Sequence, residues 1–364
     1  MIVLLAVLFA VSFLVTADLI PWVIRLSRRT GFMDFPGPRK IHAEPVPYGG
    51  GLAVAAGVLL PLLGGVVAAH LHLRHGWFPS LPETVTIAAR AVFPRLPLLA
   101  VYALGSLVIL TLGLADDRAR LSARYKLAVE AVVALGVAAG GERLEAFGMG
   151  YVPGVLLTML WILAVTNAFN LLDHMDGLSS GVAIIAGTGF LAVAFQTQQF
   201  LIAPATACLL GACAGFLLFN FPPAKIFLGD AGSLFIGFWL ACLTVSFTFY
   251  QAPYRLYTYF VPLAVLAVPL FDTAAVVAIR ILRRRPVFEG DTNHLAHRLA
   301  ALGLSRRLAV LAVYALTLLT ALSAILLYHI RPSGAAIVLG QLALTFGIIT
   351  LLEAAGRSRQ SHGP

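Results

Sequence analysis

NAFNLLDHMDGLSSG, residues 167–181, follows directly on the apolar run Val152–Val165 and leads at once into a second apolar run. It carries two amides, Asn167 and Asn170, and two carboxylates, Asp173 and Asp176. Aspartate and glutamate supply only 16 of 364 residues in a chain that is 60% hydrophobic, so two acids within four residues is a local excess. A polar knot between two such runs lies at a membrane surface or within the membrane. Ionisable groups at that depth are costly, and they persist mainly where they do chemistry or line a pathway.

Runs approaching the roughly 20 apolar residues of a spanning helix recur from one end of the chain to the other. They fall near 1–24, 49–71, 96–115, 126–140, 152–168, 177–196, 200–219, 231–250, 256–280, 308–328 and 335–353. The expected fold is all-α: a polytopic membrane protein of about 11 transmembrane helices, one integral-membrane domain over 1–364, with a disordered cytoplasmic tail at 354–364. A β-barrel would show alternating segments of about 10 residues, and these runs are continuous. The first stretch lacks a basic n-region and carries Arg25, Arg28 and Arg29 after its apolar part, which argues against a cleaved signal peptide. Cys208, Cys213 and Cys242 sit inside apolar runs without CxxC spacing and read as small buried hydrophobes.

Alternation of the spans divides the connections into two sides. One side collects 19 lysines and arginines and the other 6 (Arg74, Arg90, Arg95, Arg143, Arg255, Arg331). The positive-inside rule makes the first side cytoplasmic, with the N-terminus outside and the C-terminus inside. The net charge of +9 suggests basic loops beside anionic lipid and anionic substrates. It does not suggest nucleic acid, because no soluble basic domain is present. The outer connection at 72–95 and its approach carry His70, His72 and His75. No acid or cysteine completes a metal-ligand set there, so a solvated loop with a short interfacial helix is the preferred account over a metal site.

Four polar islands share the cytoplasmic side. They are Asp116 and Asp117 in LADDR, the stretch around Asp173 and Asp176, NFPPAKIFLGDAGS (Asn220–Ser233) with Asp230, and DTNHLAHRL (Asp291–Leu299) with His294, His297 and Arg298. A lone aspartate at a helix end is as readily a solvated cap as a functional group. Asp116 and Asp117 point about 100° apart on a helix, so one is expected to function and the other to cap or to pair with Arg118. Asp173 and Asp176 share a face, as do Asn167 and Asn170. From Asn167 to Asp176, however, the angle accumulates to half a turn. All four meet one site only if the helix breaks, and Gly177 is the candidate break. The glycines flanking Asp230 serve either close helix packing or backbone approach to a ligand. Asp272, inside the ninth run, either faces the site from within the bundle or marks a pathway.

Carboxylates clustered with bases at a membrane surface suggest a metal bridging to phosphate. Mg²⁺ is commonly held by one or two carboxylates plus substrate phosphates and water. No GxxxxGK[ST] loop is present, which argues against ATP hydrolysis. The acids lie at span ends on one side, not at the midplane of matched halves, which favours an enzyme over a secondary transporter.

Over about Arg39–Ser305 the chain resembles the polyprenyl-phosphate N-acetylhexosamine-1-phosphate transferase family. RKIHAEPVPYGGGL resembles that family's first cytoplasmic loop, GLADDR its Asp-Asp motif and NAFNLLDHMDGL its Asn-x-x-Asn-x-x-Asp-Gly-x-Asp-Gly-Leu signature. NFPPAKIFLGDAGSLFIG resembles its Gly-Asp-x-Gly-Ser motif, and NHLAHRL its histidine loop. His174 stands where the family usually has glycine, and Ala296 replaces the middle histidine. The resemblance implies a single catalytic domain that transfers a hexosamine-1-phosphate from a UDP-N-acetylhexosamine to polyprenyl phosphate and releases UMP. It implies a bacterial inner membrane location with the active site facing the cytoplasm. It also implies Mg²⁺, with Mn²⁺ as an alternative, and a homodimer as an option. The arginine after the last histidine points to the branch that uses GlcNAc-1-phosphate, with the UDP-MurNAc-pentapeptide branch of peptidoglycan synthesis as the alternative. By the same resemblance Asp230 is the leading metal ligand, joined by Asn220 and Asp117, and Asp116 deprotonates or orients the lipid phosphate. Asn170, Asp173 and Asp176 bind the uridine side or shape the metal site. His294, His297 and Arg298 grip the diphosphate or sugar, and Lys40 and His42 contact substrate phosphate. Direct attack of the lipid phosphate is the simplest route, and a covalent aspartyl-phosphate stays open.

Overall fold

A computed structural model describes residues 1–36, 44–77, 83–144, 149–197, 199, 202–247, 249, 256–286 and 293–361, with backbone alone for 84, 88 and 353–361. The chain forms two compact units, Met1–Thr248 and Phe249–Pro364. In the first, α1 (Ile2–Thr30) leads to a short antiparallel pair, β1 (Met33–Asp34) and β2 (Val46–Pro47). Then follow α2 (Gly50–His75), α3 (Glu83–Val92), α4 (Leu96–Ala119), α5 (Ala123–Ala139), α6 (Tyr151–Leu172), α7 (Leu178–Gln196), α8 (Ala203–Asn220) and α9 (Gly229–Val245). The second unit holds α10 (Val261–Val265), α11 (Ala267–Leu282), α12 (Leu295–Ala301), α13 (Arg306–Leu326) and α14 (Pro332–Ser361).

Among the described residues, eight helices are long and apolar enough to cross a membrane. They are α1, α2, the continuous Val85–Ala119 stretch ending in α4, α6, α7, α8, α13 and the apolar part of α14. The segment Leu256–Val265 and α11 form a pair bent by 72°, and α9 is a shorter apolar helix. α5 is interrupted by Arg124, Lys126 and Glu130. The expected all-α membrane architecture is what the chain adopts.

The centre of the first unit is α9. All but one of its residues, Asp230, are buried, so it is apolar around its whole circumference, as a helix enclosed by others must be. Close approach is achieved by glycine. A Cβ on Gly51 would lie 2.3 Å from the backbone nitrogen of Gly232, and one on Gly113 would lie 2.4 Å from Cα of Ala231. α2 and α4 therefore touch α9 backbone to backbone near its first turn. Gly50 and Gly51 donate their amides to the carbonyls of Phe227 and Leu228 at 3.0 Å, and Phe227 donates to Pro47 at 2.8 Å. The Gly49-Gly50-Gly51 run at the start of α2 is thus a seat for the segment entering α9. A second seam joins α1 to α2 and α8, where Cβ atoms on Gly57, Gly211 and Gly215 would meet Thr16 Oγ1, Phe9 O and Phe13 O at 1.9, 2.2 and 2.5 Å.

The three histidines near the connection between α2 and α3 have separate neighbours. His72 Nε2 bonds Thr86 Oγ1 at 3.0 Å, His70 lies against Phe93 and His75 against Trp77. α3 supplies the short helix expected in that connection.

Candidate active site

The helix break expected near Gly177 is present. α6 ends at Leu172, Asp173 leaves the helix at ψ 47°, and α7 starts at Leu178 after Gly177 at φ +76°. That left-handed conformation favours glycine. The break frees groups that would oppose each other on one continuous helix. Asn170 Nδ2 donates to Ser233 Oγ of α9 at 3.0 Å, while Asp176 Oδ2 accepts from the amide of Ala224 at 2.9 Å. Asn220 braces the turn: its Oδ1 accepts from the Gly177 amide at 2.8 Å and its Nδ2 donates to Ile226 O at 2.9 Å. With both ends of its amide bound to backbone, Asn220 holds this turn to the end of α8.

The two adjacent aspartates have separate tasks, as their angular separation requires. Asp117 caps α9 from outside, accepting from the amides of Asp230 (2.8 Å) and Ala231 (3.2 Å). A helix N-terminus leaves such donors without intrahelical partners, and a carboxylate there also meets the positive end of the helix dipole. Gly229 sits at φ +73°, and a Cβ there would fall 2.5 Å from Asp117 Oδ2. Asp116 turns to the other side. Its Oδ1 accepts from the Leu121 amide at 2.6 Å, and its Oδ2 accepts from Lys126 Nζ at 2.5 Å. Lys126 Nζ also donates to Asp230 Oδ2 at 2.9 Å, so one ammonium ties α4 to α9. The Asp230 side chain is 31% exposed against 11% for Asp116 and 19% for Lys126, which makes it the outward member of the three.

Lys126 and Glu130 were not singled out from the sequence. They lie one helical turn apart on α5, and two opposite charges at i and i+4 inside an apolar run were the available signal. Glu130 is 2% exposed, and its Oε2 accepts a short hydrogen bond from Asn167 Nδ2.

Asp173 lies between helices, partly exposed. Desolvation raises its carboxyl well above the usual carboxylate range, and Asp230, Asp117 and Asp176 push in the same direction. Carboxyl groups outnumber Lys126, the cation hydrogen-bonded within this set. Oxygen-rich, electron-rich clusters of this composition suit a hard divalent cation. Asp230 and Asp173 are the members whose carboxylates are not consumed by capping backbone amides.

The second unit has its own polar centre. Asp272 of α11 is 1% exposed. Its Oδ2 lies 2.9 Å from His294 Nδ1, its Oδ1 accepts from the Leu295 amide at 2.5 Å, and Arg298 stands 3.5 Å away. A carboxylate on Nδ1 fixes the orientation of an imidazole. Asp272 thus faces the histidine loop from within the bundle. His297 lies in α12, partly buried. Lys40, His42 and Asp291 fall outside the described residues.

Residues 99–248 match glycosyl transferase family 4. The chain is 32% identical over 331 residues to the Bacillus subtilis probable undecaprenyl-phosphate N-acetylglucosaminyl 1-phosphate transferase, covering 89% of this chain and 85% of that protein. The chain belongs to glycosyl transferase family 4. It is also 30% identical over 369 residues to the Mycobacterium tuberculosis (strain H37Rv) decaprenyl-phosphate N-acetylglucosaminephosphotransferase, covering 93% of this chain and 86% of the relative. To the Escherichia coli (strain K12) undecaprenyl-phosphate alpha-N-acetylglucosaminyl 1-phosphate transferase it is 25% identical over 347 residues, covering 91% and 86%. The family 4 match contains Asp116, Asp117, Lys126, Glu130, Asp173 and Asp230, and ends before Asp272 and His294.

Proposed function

We propose that this protein transfers GlcNAc-1-phosphate from UDP-GlcNAc to a polyprenyl phosphate, producing polyprenyl-diphosphate-GlcNAc and UMP and starting a cell-envelope glycan. The observation that carries this reading is the Asp116–Lys126–Asp230 bridge at the capped start of α9. The names of these three relatives, each a GlcNAc-phosphate transferase acting on a polyprenyl phosphate, support the substrate class. A phosphate oxygen of the lipid attacks the β-phosphorus, the bond from that phosphorus to the bridging oxygen breaks, and UMP leaves with the electron pair.

Charge neutralisation around the transferring phosphoryl group is the main service a protein can give such a step. Lys126 offers a fixed ammonium, held in place by Asp116 and therefore not dependent on substrate for its orientation. Asp230 and Asp173 would hold Mg²⁺, or Mn²⁺ in its place, and the ion when bound would offset charge on the diphosphate. Asp116 orients Lys126 and the incoming lipid phosphate. His294, His297 and Arg298 bind diphosphate or sugar oxygens, as do Lys40 and His42. We count α5, α9 and the bent pair as crossings beside the eight long helices, giving 11 spans, an outer N-terminus and a cytoplasmic C-terminus. Arg28 and Arg29 in the last turn of α1 support that orientation. The site then opens to the cytoplasm from a bacterial inner membrane.

The test is transfer by purified protein from labelled UDP-GlcNAc to undecaprenyl phosphate. Lipid-linked label and UMP are expected in equal amounts, lost with a chelator and restored by Mg²⁺. Absence of transfer from every UDP-hexosamine, with folded protein, would sink the reading. In the same assay Lys126→Met is expected to lower kcat by about 10²–10³-fold, the scale of losing one electrostatic donor at a transition state. A loss confined to KM would mean that the ammonium binds ground state and transition state alike.

A further inference from the structure

Glu130 is an unusual residue to find where it is. It lies 2% exposed on α5; Oε2 accepts from Asn167 Nδ2, and Oε1 has no hydrogen-bond partner among the described residues. Leaving a buried carboxylate oxygen without a donor is destabilising, and native structures rarely retain one without a use. A neutral glutamine of the same shape would relieve the buried charge, with its NH₂ in the position of Oε1. Stability therefore does not explain Glu130.

Its chemistry does. A carboxylate can only accept hydrogen bonds, whereas a glutamine amide both donates and accepts. Asn167 Nδ2 meets two acceptors, Glu130 Oε2 and, at 3.0 Å, Leu163 O. Both hydrogens of its amide are committed by this pair, and no hydrogen bond among the described residues uses its Oδ1. Asn167 itself is partly exposed and stands one turn before Asn170, which bonds Ser233 at the start of α9. Glu130 lies one turn beyond Lys126 on α5, within electrostatic reach of Lys126 and Asp230.

We propose that Glu130 is a positioning residue that locks the Asn167 amide in one orientation, so that Asn167 Oδ1 accepts a hydrogen bond from an N–H of the nucleotide sugar. The proposal rests on the function given above. Two N–H groups of the substrate have the right chemistry: the uracil imide and the acetamido group of the sugar. With glutamine at 130, the side-chain NH₂ introduced there can donate to Asn167 Oδ1, and the Asn167 amide can then turn over at the loss of its bond to Leu163 O and offer its own NH₂ to the same substrate N–H, which it repels.

The experiment compares wild type, Glu130→Gln, Asn167→Ala and the double variant by thermal melting and by kinetics with UDP-GlcNAc and undecaprenyl phosphate. Glu130→Gln is expected to melt at or above the wild-type temperature, to raise KM for UDP-GlcNAc roughly tenfold and to change kcat less than about twofold, the pattern of lost uniform binding. The double variant is expected to be no worse than Asn167→Ala, because the effect passes through Asn167. Competition by UMP identifies the donor: an inhibition constant raised in step with KM assigns the uracil imide, and an unchanged one assigns the acetamido group. An unchanged KM in Glu130→Gln, an additive double variant, or a lowered melting temperature with kcat and KM changing together overturns the proposal. Absence of transfer by wild type overturns the function and this inference with it; wild-type transfer with an unchanged Glu130→Gln variant overturns this inference alone.

Discussion

Exchange of Asp230 for asparagine is expected to lower kcat by about 10³-fold or more, with the melting temperature close to that of wild type. The reasoning separates the backbone of Asp230 from its side chain. Its amide is part of the cap that Asp117 places on α9, and that bond survives the exchange. Its carboxylate is the exposed end of the Asp116–Lys126–Asp230 bridge and the leading candidate for holding a divalent cation. Asparagine keeps the volume, and its Oδ1 can still accept from Lys126, so the fold loses little. The negative charge that would hold the ion is gone, and an interaction of this kind is worth several kcal/mol in a phosphoryl-transfer transition state. The check is the lipid-transfer assay beside a thermal melt of the same preparation. Activity within tenfold of wild type would remove Asp230 from the reacting centre.

Gly51→Ala is expected to produce the largest loss of stability from a single methyl group. That methyl would stand 2.3 Å from the nitrogen of Gly232, 2.5 Å from its Cα and 2.8 Å from the carbonyl carbon of Ala231. All three are backbone atoms, so no rotamer change relieves the clash, and α2 must move away from α9. The movement also stretches the bonds from Gly50 and Gly51 to Phe227 and Leu228. Overpacking typically costs about 1–3 kcal/mol, and a backbone collision with loss of two hydrogen bonds belongs at or above the top of that range. Gly64→Ala is the control. It lies in the same helix with nothing within 4 Å, and it should leave the melting temperature unchanged or raise it. Equal melting temperatures for the two variants would contradict the backbone contact.

Much of this was legible from residue order because it depended on angles along one helix. The 100° between Asp116 and Asp117 required two tasks, and one became a cap and the other a lysine partner. Half a turn between Asn167 and Asp176 required a break, and Gly177 supplies it. Asp272 was conspicuous as an acid inside an apolar run, and it faces His294. The positions that escaped depend on contacts distant in sequence. Asn220 braces the α6–α7 turn through the Gly177 amide, 43 residues away. Lys126 was counted only as a topological charge, and its partners lie 10 and 104 residues away. Three consecutive glycines at the start of α2 show their purpose only once the helix that presses on them is known.

The contacts of Gly51, Gly113 and Gly232 leave no side chains at the points where α2 and α4 meet the start of α9. Their spacing there is set by the thickness of the polypeptide itself, which mutation cannot reduce and can increase only by damage. Such a junction has no adjustable parameter. A descendant enzyme that accepts a bulkier sugar or another lipid cannot make room by loosening it. Substrate range in this lineage should therefore drift through residues that hang from the frame, such as the α6–α7 turn and the histidine loop, while the frame stays the same size.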